Sequence, residues 1–278
     1  MKAAPFKYAR PVTLDEALHI VAEGGDDVKP IAGGQSLGAM LNMRIVTPSV
    51  VLDLNAIAEL SSLDGRRTGA MVRQKTALVD ADFRRAIPLL SQAVPYVGHY
   101  QTRNRGTLGG SVAHADPSAE IPLTLATLGG TVELQTKRRT RKLSADEFFR
   151  SALVTARAPD ELLTALHWPA LPPSTRSSFH EFAVREGDFA IVAVACIVDP
   201  KRGLLRLGFG GCGEKPQVVE QTGIDVSVSS VVDDAIAHAV GSLEYRGDLL
   251  ATAAYRRQLA SVLSRRAVNT AITERIDG

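Results

Sequence analysis

The chain has 278 residues, 45% of them apolar and 22% charged, and a formal net charge of +2. That composition supports a packed core and excludes disorder, and so small a charge points to neither nucleic acid nor a membrane surface. The two cysteines, Cys196 and Cys212, form no C-x-x-C, which excludes an iron–sulfur cluster or a four-thiolate zinc held by this chain alone, and a disulfide framework as well. Both read as reduced core thiols. The start, Met1 to Phe6, has no apolar leader, and no run of 18 apolar residues occurs, so a cytoplasmic protein without a membrane span is expected.

Thr13-Leu14-Asp15-Glu16 reads as a capping box, with Leu14, Ala17, Leu18, Val21 and Ala22 behind it at helical spacing and Gly24-Gly25 as the stop. Lys29-Pro30-Ile31 leads into a glycine pair at 33–34. A short helix over 37–42 and a buried strand over 50–54 follow. Ala70 to Arg73 reads as a strand, and 78–86 and 88–97 as helices. A second glycine loop opens at Arg103-Asn104-Arg105-Gly106. Beyond it a helix is predicted over 120–128 and a strand over 131–134. Next come a basic hairpin surface at Lys137 to Lys142, a second capping box at Ser144 to Glu147 and a strand over 161–168. Leu171-Pro172-Pro173-Ser174 is the best linker, because such a stretch cannot extend a helix. Runs at 179–185, 191–198 and 204–209, joined by short turns, predict a three-stranded antiparallel meander, and helices at 232–243 and 249–271 close the chain. The expected fold class is α+β in two parts, split near residue 174.

The glycine pairs carry the chemistry. A pyrophosphate needs several donors at close range, and consecutive backbone amides supply them where no Cβ intervenes. Ala32-Gly33-Gly34-Gln35-Ser36 sits between a predicted strand and helix. Thr107-Leu108-Gly109-Gly110-Ser111 repeats the pattern about 75 residues later, and is expected in the same kind of place. Taken alone, the pairs support anion binding and leave the nucleotide open. Neither Gly-x-Gly-x-x-Gly nor the phosphate-loop motif ending in Gly-Lys-[Ser/Thr] occurs, so neither a Rossmann dinucleotide site nor a phosphate-loop hydrolase is expected.

Ile31 to Leu37, Val51 to Asn55, and the string Arg103-Asn104-Arg105-Gly106-Thr107-Leu108-Gly109-Gly110-Ser111-Val112-Ala113-His114-Ala115-Asp116-Pro117 resemble the FAD-binding medium subunit of the molybdenum hydroxylases. That family includes xanthine dehydrogenase and carbon monoxide dehydrogenase. The resemblance continues through Arg185 to Val192 and Ala253 to Leu259, and so covers nearly the whole chain. It implies a two-part FAD-binding fold of the vanillyl-alcohol-oxidase type over 1–174, with subdomains 1–55 and 56–174. A small C-terminal domain would span 175–278, and FAD would lie between the two parts. It implies that Ile31, Ala32, Gly33, Gly34, Gln35, Ser36 and Leu37, with Gly106, Thr107, Gly109, Gly110, Ser111 and Ala113, hold pyrophosphate and ribityl chain. Asp116 and Glu120 would lie near sugar or ribityl hydroxyls, and Leu163 and Phe189 would flank the isoalloxazine. His180 would stand where some relatives place a lysine, and Asp188 would stand near the ring. Ser111 replaces an asparagine found in several relatives.

The resemblance further implies a relay role with no catalytic acid or base in this chain. A large partner subunit would carry the molybdenum cofactor and a small one two 2Fe–2S iron–sulfur clusters, the whole forming a dimer of heterotrimers. A self-sufficient single-chain FAD oxidoreductase of the same fold and a non-enzymatic nucleotide-binding scaffold are the alternatives. His114 reads either as a covalent flavin link or as a hydrogen-bonded supporting residue, and Asp53 as a group closing a strand end.

Overall fold

A computed structural model of the chain describes residues 2–273. The first unit is a three-stranded parallel sheet, β1 (Lys7–Ala9), β2 (Val28–Ile31) and β3 (Val50–Asp53), in the order β1-β3-β2. Helix α1 (Leu14–Gly24) covers it with Ala17, Leu18 and Val21. Its Thr13 hydroxyl accepts from the Glu16 amide, while the Glu16 carboxylate reaches one residue further back than expected, to the Val12 amide. Helix α2 (Leu37–Asn42) leaves the first glycine loop as expected.

The second unit is a five-stranded antiparallel sheet in the order β4-β5-β10-β6-β7, from β4 (Leu63–Asp64), β5 (Arg67–Gly69), β6 (Thr131–Gln135), β7 (Thr140–Ser144) and β10 (Leu162–His167). The strand expected at 70–73 is displaced to 67–69. Ala70, Met71 and Val72 are buried in a turn beneath the second glycine pair, so their apolar character reflects that contact rather than a sheet. The helices expected over 78–97 are three short ones, α3 (Thr76–Val79), α4 (Ala81–Ala86) and α5 (Pro88–Ala93). Asp80 breaks the run by capping α4 through the Phe83 amide, 2.8 Å away. Then come α6 (Tyr100–Arg105), α7 (Leu108–His114) and α8 (Glu120–Leu128). Helix α9 (Ala145–Phe148) starts at Ser144, where both halves of the predicted capping box form, and the hairpin β8 (Phe149–Ser151) and β9 (Val154–Thr155) follows.

The third unit is a sheet of four antiparallel strands, not three: β11 (Arg176–Phe182), β12 (Val192–Asp199), β13 (Leu204–Gly210) and β14 (Gln217–Gln221), in sequence order. The short, polar edge strand β14 adds to the predicted meander. Helices α10 (Ser229–Gly241) and α11 (Ala253–Thr273) close the chain. Every residue of β12 is buried, because both faces of the sheet are covered. Ala193, Ala195 and Ile197 join the core formed by α5 and α8, whereas Val192, Val194, Cys196 and Val198 pack under α10 and α11. Among the described residues, no helix is long and apolar enough to cross a membrane.

Candidate functional site

A cleft of about 700 Å³ runs along the two glycine segments, a size within the range of small-molecule and cofactor sites. The segments reach it by different routes. The first follows β2 and precedes α2, as its sequence indicates. Gly34 has φ +73°, a left-handed conformation that disfavours a side chain. Among the described residues, the amides of Gly33, Gly34, Gln35 and Ser36 have no protein acceptor. The second segment is not a loop between strand and helix. It lies between α6 and α7, with Gly109 and Gly110 inside the first turn of α7.

Its amides are already engaged. Leu108 N donates to Val72 O (2.9 Å), Gly109 N to Ala70 O (3.0 Å), and Gly110 N to the Thr107 hydroxyl (2.9 Å), which caps α7. Gly109 is there for close packing: a Cβ would lie 2.5 Å from Ala70 Cα. Gly33 is constrained in the same way, since its Cβ would meet the Arg105 carbonyl. The glycines thus bring two stretches of backbone together, a role that the sequence pattern of a phosphate nest does not reveal.

A polar chain fixes that junction. Tyr8 donates its hydroxyl hydrogen to Asp53, which accepts the Asn55 amide at 2.9 Å; Asn55 Nδ2 then donates to Ala32 O at 2.8 Å. Arg73 donates to Asn55 Oδ1 (2.6 Å) and to the Arg105 carbonyl, tying one segment to the other. Burial pushes the Asp53 carboxyl up, but the bonds from Tyr8 and Asn55 outweigh it and hold it below its ordinary value. Asp53 closes the end of its strand, as expected, and nothing in the residue types alone signalled the Asn55–Arg73 link.

Of the predicted site residues, Ala32 to Leu37, Gly106, Thr107, Gly109, Gly110, Ser111, Ala113, Asp116, Glu120, Leu163, Asp188 and Phe189 all line the cleft. Ile31 does not: it ends β2, and its side chain lies beneath Gly34. His180 is not brought there either. On β11 it turns towards α11, its Nε2 3.0 Å from the Thr270 hydroxyl, because strand alternation sends it to the opposite side from its neighbours. His114, the last residue of α7, lines the cleft. The sequence reading missed Gln74, Thr102 and Arg157, which also line it. They stand outside the glycine motifs, and only tertiary structure collects them. Arg157 is held by three carbonyls, those of Ala158 (2.9 Å), Pro159 (3.3 Å) and Glu161 (2.8 Å).

One carboxyl of the cleft, Glu120, and one outside its lining, Glu181 on β11, are strongly perturbed. Burial, reinforced by the charge of Asp116, lifts Glu120 to about 7 against the opposing effects of its own amide and Arg103. Burial and the charge of Glu120 lift Glu181 to about 9. Gln74, which lines the cleft, has its Oε1 buried without a hydrogen-bond partner. An unpaired buried amide oxygen is uncommon and suits a polar group of a bound molecule. Free amides suit phosphate oxygens, and the apolar surfaces of Val97, Leu163 and Phe189 suit a fused ring, so the residues present fit a flavin dinucleotide.

Residues 4–171 match the family described as FAD binding domain in molybdopterin dehydrogenase. The chain belongs to that family. Residues 177–271 match the CO dehydrogenase flavoprotein C-terminal domain. Caffeine dehydrogenase subunit beta of Pseudomonas sp. (strain CBB1) is 37% identical, with 96% of this chain and 95% of that one covered. The 6-hydroxypseudooxynicotine dehydrogenase complex subunit alpha of Paenarthrobacter nicotinovorans is 35% identical over 95% and 97%. The crystal structure of quinoline 2-oxidoreductase from Pseudomonas putida 86 superposes with a TM-score of 0.88 at 32% identity, with 98% of each chain covered. This member of the family is therefore an FAD-binding medium subunit of the molybdenum hydroxylase type, an oxidoreductase subunit.

Proposed function

We propose that FAD occupies the cleft with its pyrophosphate on the amides of Gly33, Gly34, Gln35 and Ser36, and that this chain passes electrons from its small partner subunit to an external acceptor. The observation that carries the assignment is that run of four amides without protein acceptors, in residues that line the cleft. It also divides the labour between the glycine segments. The first binds, while the second is spent on packing and offers the cofactor the hydroxyl of Ser111 and the exposed side of Ala113. When bound, FAD would supply the redox chemistry of the relay.

The protein's own residues bind, orient and exclude water. Asp116 and Glu120 present carboxyl groups for hydroxyl contacts, and Leu163 and Phe189 offer apolar faces. Ile31 supports the loop from below, and His180 has no part in the contact. The chain divides near residue 174 in this reading, with the cleft walled from both sides, as Phe189 and Asp188 come from beyond that point. A dimer of heterotrimers in the cytoplasm is the assembly in which this chain works; the two free, buried cysteines suit a reducing compartment. The test is direct. The purified full chain should be yellow and, once stripped, should rebind FAD, with affinity falling when Gly34 is replaced by valine. A colourless chain that binds no FAD would overturn the reading.

A further inference from the structure

Gly106 follows α6 with φ −57° and ψ 148°, a conformation open to residues with side chains. Its lack of a Cβ serves another purpose. A Cβ there would lie 2.5 Å from Gln74 Oε1, 2.7 Å from its Cδ and 2.9 Å from its Nε2, so the bare backbone makes room for that terminal amide. Gly106 also meets the first glycine segment, since a Cβ on Gly33 would lie 2.7 Å from Gly106 Cα. A single glycine therefore touches both the Gln74 amide and the start of the run of free backbone amides. Gln74 is 5% exposed and lines the cleft, and its Oε1 is buried. Among the described residues, neither end of its terminal amide has a protein partner. The groups around it are engaged elsewhere. Gln74 N donates to Gly106 O (3.0 Å), Gly106 N to Thr102 O (2.6 Å) and Lys75 N to Arg103 O (3.1 Å), while Arg73 is bonded to Asn55 and to the Arg105 carbonyl. A buried amide without partners is destabilising, and no protein group here offsets that.

We propose that Gln74 is a further cofactor-binding residue, whose amide spans a phosphate oxygen of FAD and the sugar hydroxyl beside it, donating from Nε2 to the first and accepting at Oε1 from the second. The inference rests on FAD lying in this cleft. Chemistry selects that junction. An amide with both ends free needs an acceptor and a donor close together. An ionised phosphate offers acceptors alone, so the donor has to come from the group next to it. On each side of the FAD pyrophosphate that group is a hydroxyl-bearing chain, ribityl towards the flavin and ribose towards the adenine, and both rings lie further away. Because no protein group fixes the amide, it can turn within its space, and the bound molecule sets which end faces which group. Gln74 thereby gives the cleft a preference that the backbone amides lack. Backbone donors hold any phosphate, whereas a buried acceptor beside them is satisfied only when a hydroxyl stands there.

The test sets stability against affinity in the stripped full chain. Gln74→Met keeps the bulk and removes both polar ends, so it should melt at or above the wild type, yet bind FAD about tenfold more weakly. A residue with a purely structural role would lose stability instead, and a variant that melts lower, or does not fold, overturns the proposal. So does one that binds FAD like the wild type. Titration with the fragments ADP, FMN and riboflavin then locates the contact. A loss with ADP alone puts Gln74 on the ribose side, and a loss with FMN alone on the ribityl side. A loss with both, or with riboflavin, which has no phosphate, shows a disturbed cleft rather than a contact at the junction, and refutes it. Gly106→Ala should push the amide aside and weaken FAD to a similar degree, but add nothing in a Gln74→Ala background. A further loss in that background would show that Gly106 makes room for something other than Gln74, against the proposal. Failure of the wild type itself to bind FAD would overturn the cofactor reading, and the proposal with it.

Discussion

Replacing Gly33 with alanine should damage the protein through one carbon atom. The added Cβ would fall against the Arg105 carbonyl and lie 2.7 Å from both the carbonyl carbon of Arg105 and Gly106 Cα. Carbon atoms rest about 3.5–4.0 Å apart, so one segment must retreat by roughly 1 Å. No flexible side chain is there to absorb the shift. The retreat strains the Arg73 bond to Arg105 O and the 3.0 Å bond from Gln74 N to Gly106 O. Overpacking of this kind costs about 2 kcal/mol, within a range of roughly 1–3. In a chain of this size that lowers the melting temperature by roughly 4–8 °C. Losing one hydrogen bond to a charged phosphate adds about 1.5–3 kcal/mol to the free energy of binding, or about 10–100-fold in Kd. Calorimetric melting of the stripped chain and fluorescence titration with FAD read the two effects separately. Gly38→Ala is the control, because Gly38 lies in α2 with open space around it. It should gain roughly 0.5–1 kcal/mol of stability and keep its affinity. If Gly33→Ala melts and binds like the wild type, or Gly38→Ala suffers equally, the argument from close packing is wrong.

Glu161 accepts bonds from Arg141 (2.6 and 2.8 Å) and from the Ala158 amide (2.8 Å), and Glu161→Gln should cost about 2 kcal/mol in urea unfolding. Burial pushes Glu161 and Glu133 up, but their arginine partners outweigh it and hold both below the ordinary carboxylate range. Their stabilisation is therefore complete above the unfolded value and lost as pH falls through the folded one; urea midpoints should drop in acid, less steeply in Glu161→Gln. Arg256 is 1% exposed and donates to Ile191 O, Gly211 O (2.9 Å) and Asp248 (2.6 Å), so Arg256→Met should cost at least 3 kcal/mol and speed hydrogen exchange over 185–191. Phe189 is 68% exposed and lines the cleft; Phe189→Ala should leave stability within about 0.5 kcal/mol of the wild type while weakening FAD roughly fivefold and altering its absorption band.

What the sequence disclosed follows from how local each signal is. Helices α1, α8 and α9 were readable because caps and apolar spacing lie within a few residues of one another. Helix α6 was not, since Tyr100–Arg105 buries no residue and carries no apolar stripe. Strand β14 was hidden for the same reason, being a polar edge whose partner gives it meaning. Ala70 to Val72 misled because burial beneath a helix and burial in a sheet look alike in three residues. In the cleft, the glycine strings located most of the lining, but not which amides remain free. That depends on Val72 and Ala70, whose carbonyls claim the amides of the second segment. His180 went astray because strand parity cannot be fixed by resemblance when the facing helix is unknown.

The β12 strand, covered on both faces, also sets an order of events during synthesis. Helices α5 and α8 are complete by Leu128, but the alanine and isoleucine face that covers them ends at Ile197, about 70 residues later. At ribosomal speeds of about 5–20 residues per second, that apolar surface stays bare for roughly 4–14 s. A fragment ending at the linker would keep it bare permanently. Such a truncated chain should be captured by chaperones or aggregate, and separately expressed halves should recover solubility only when they are made together.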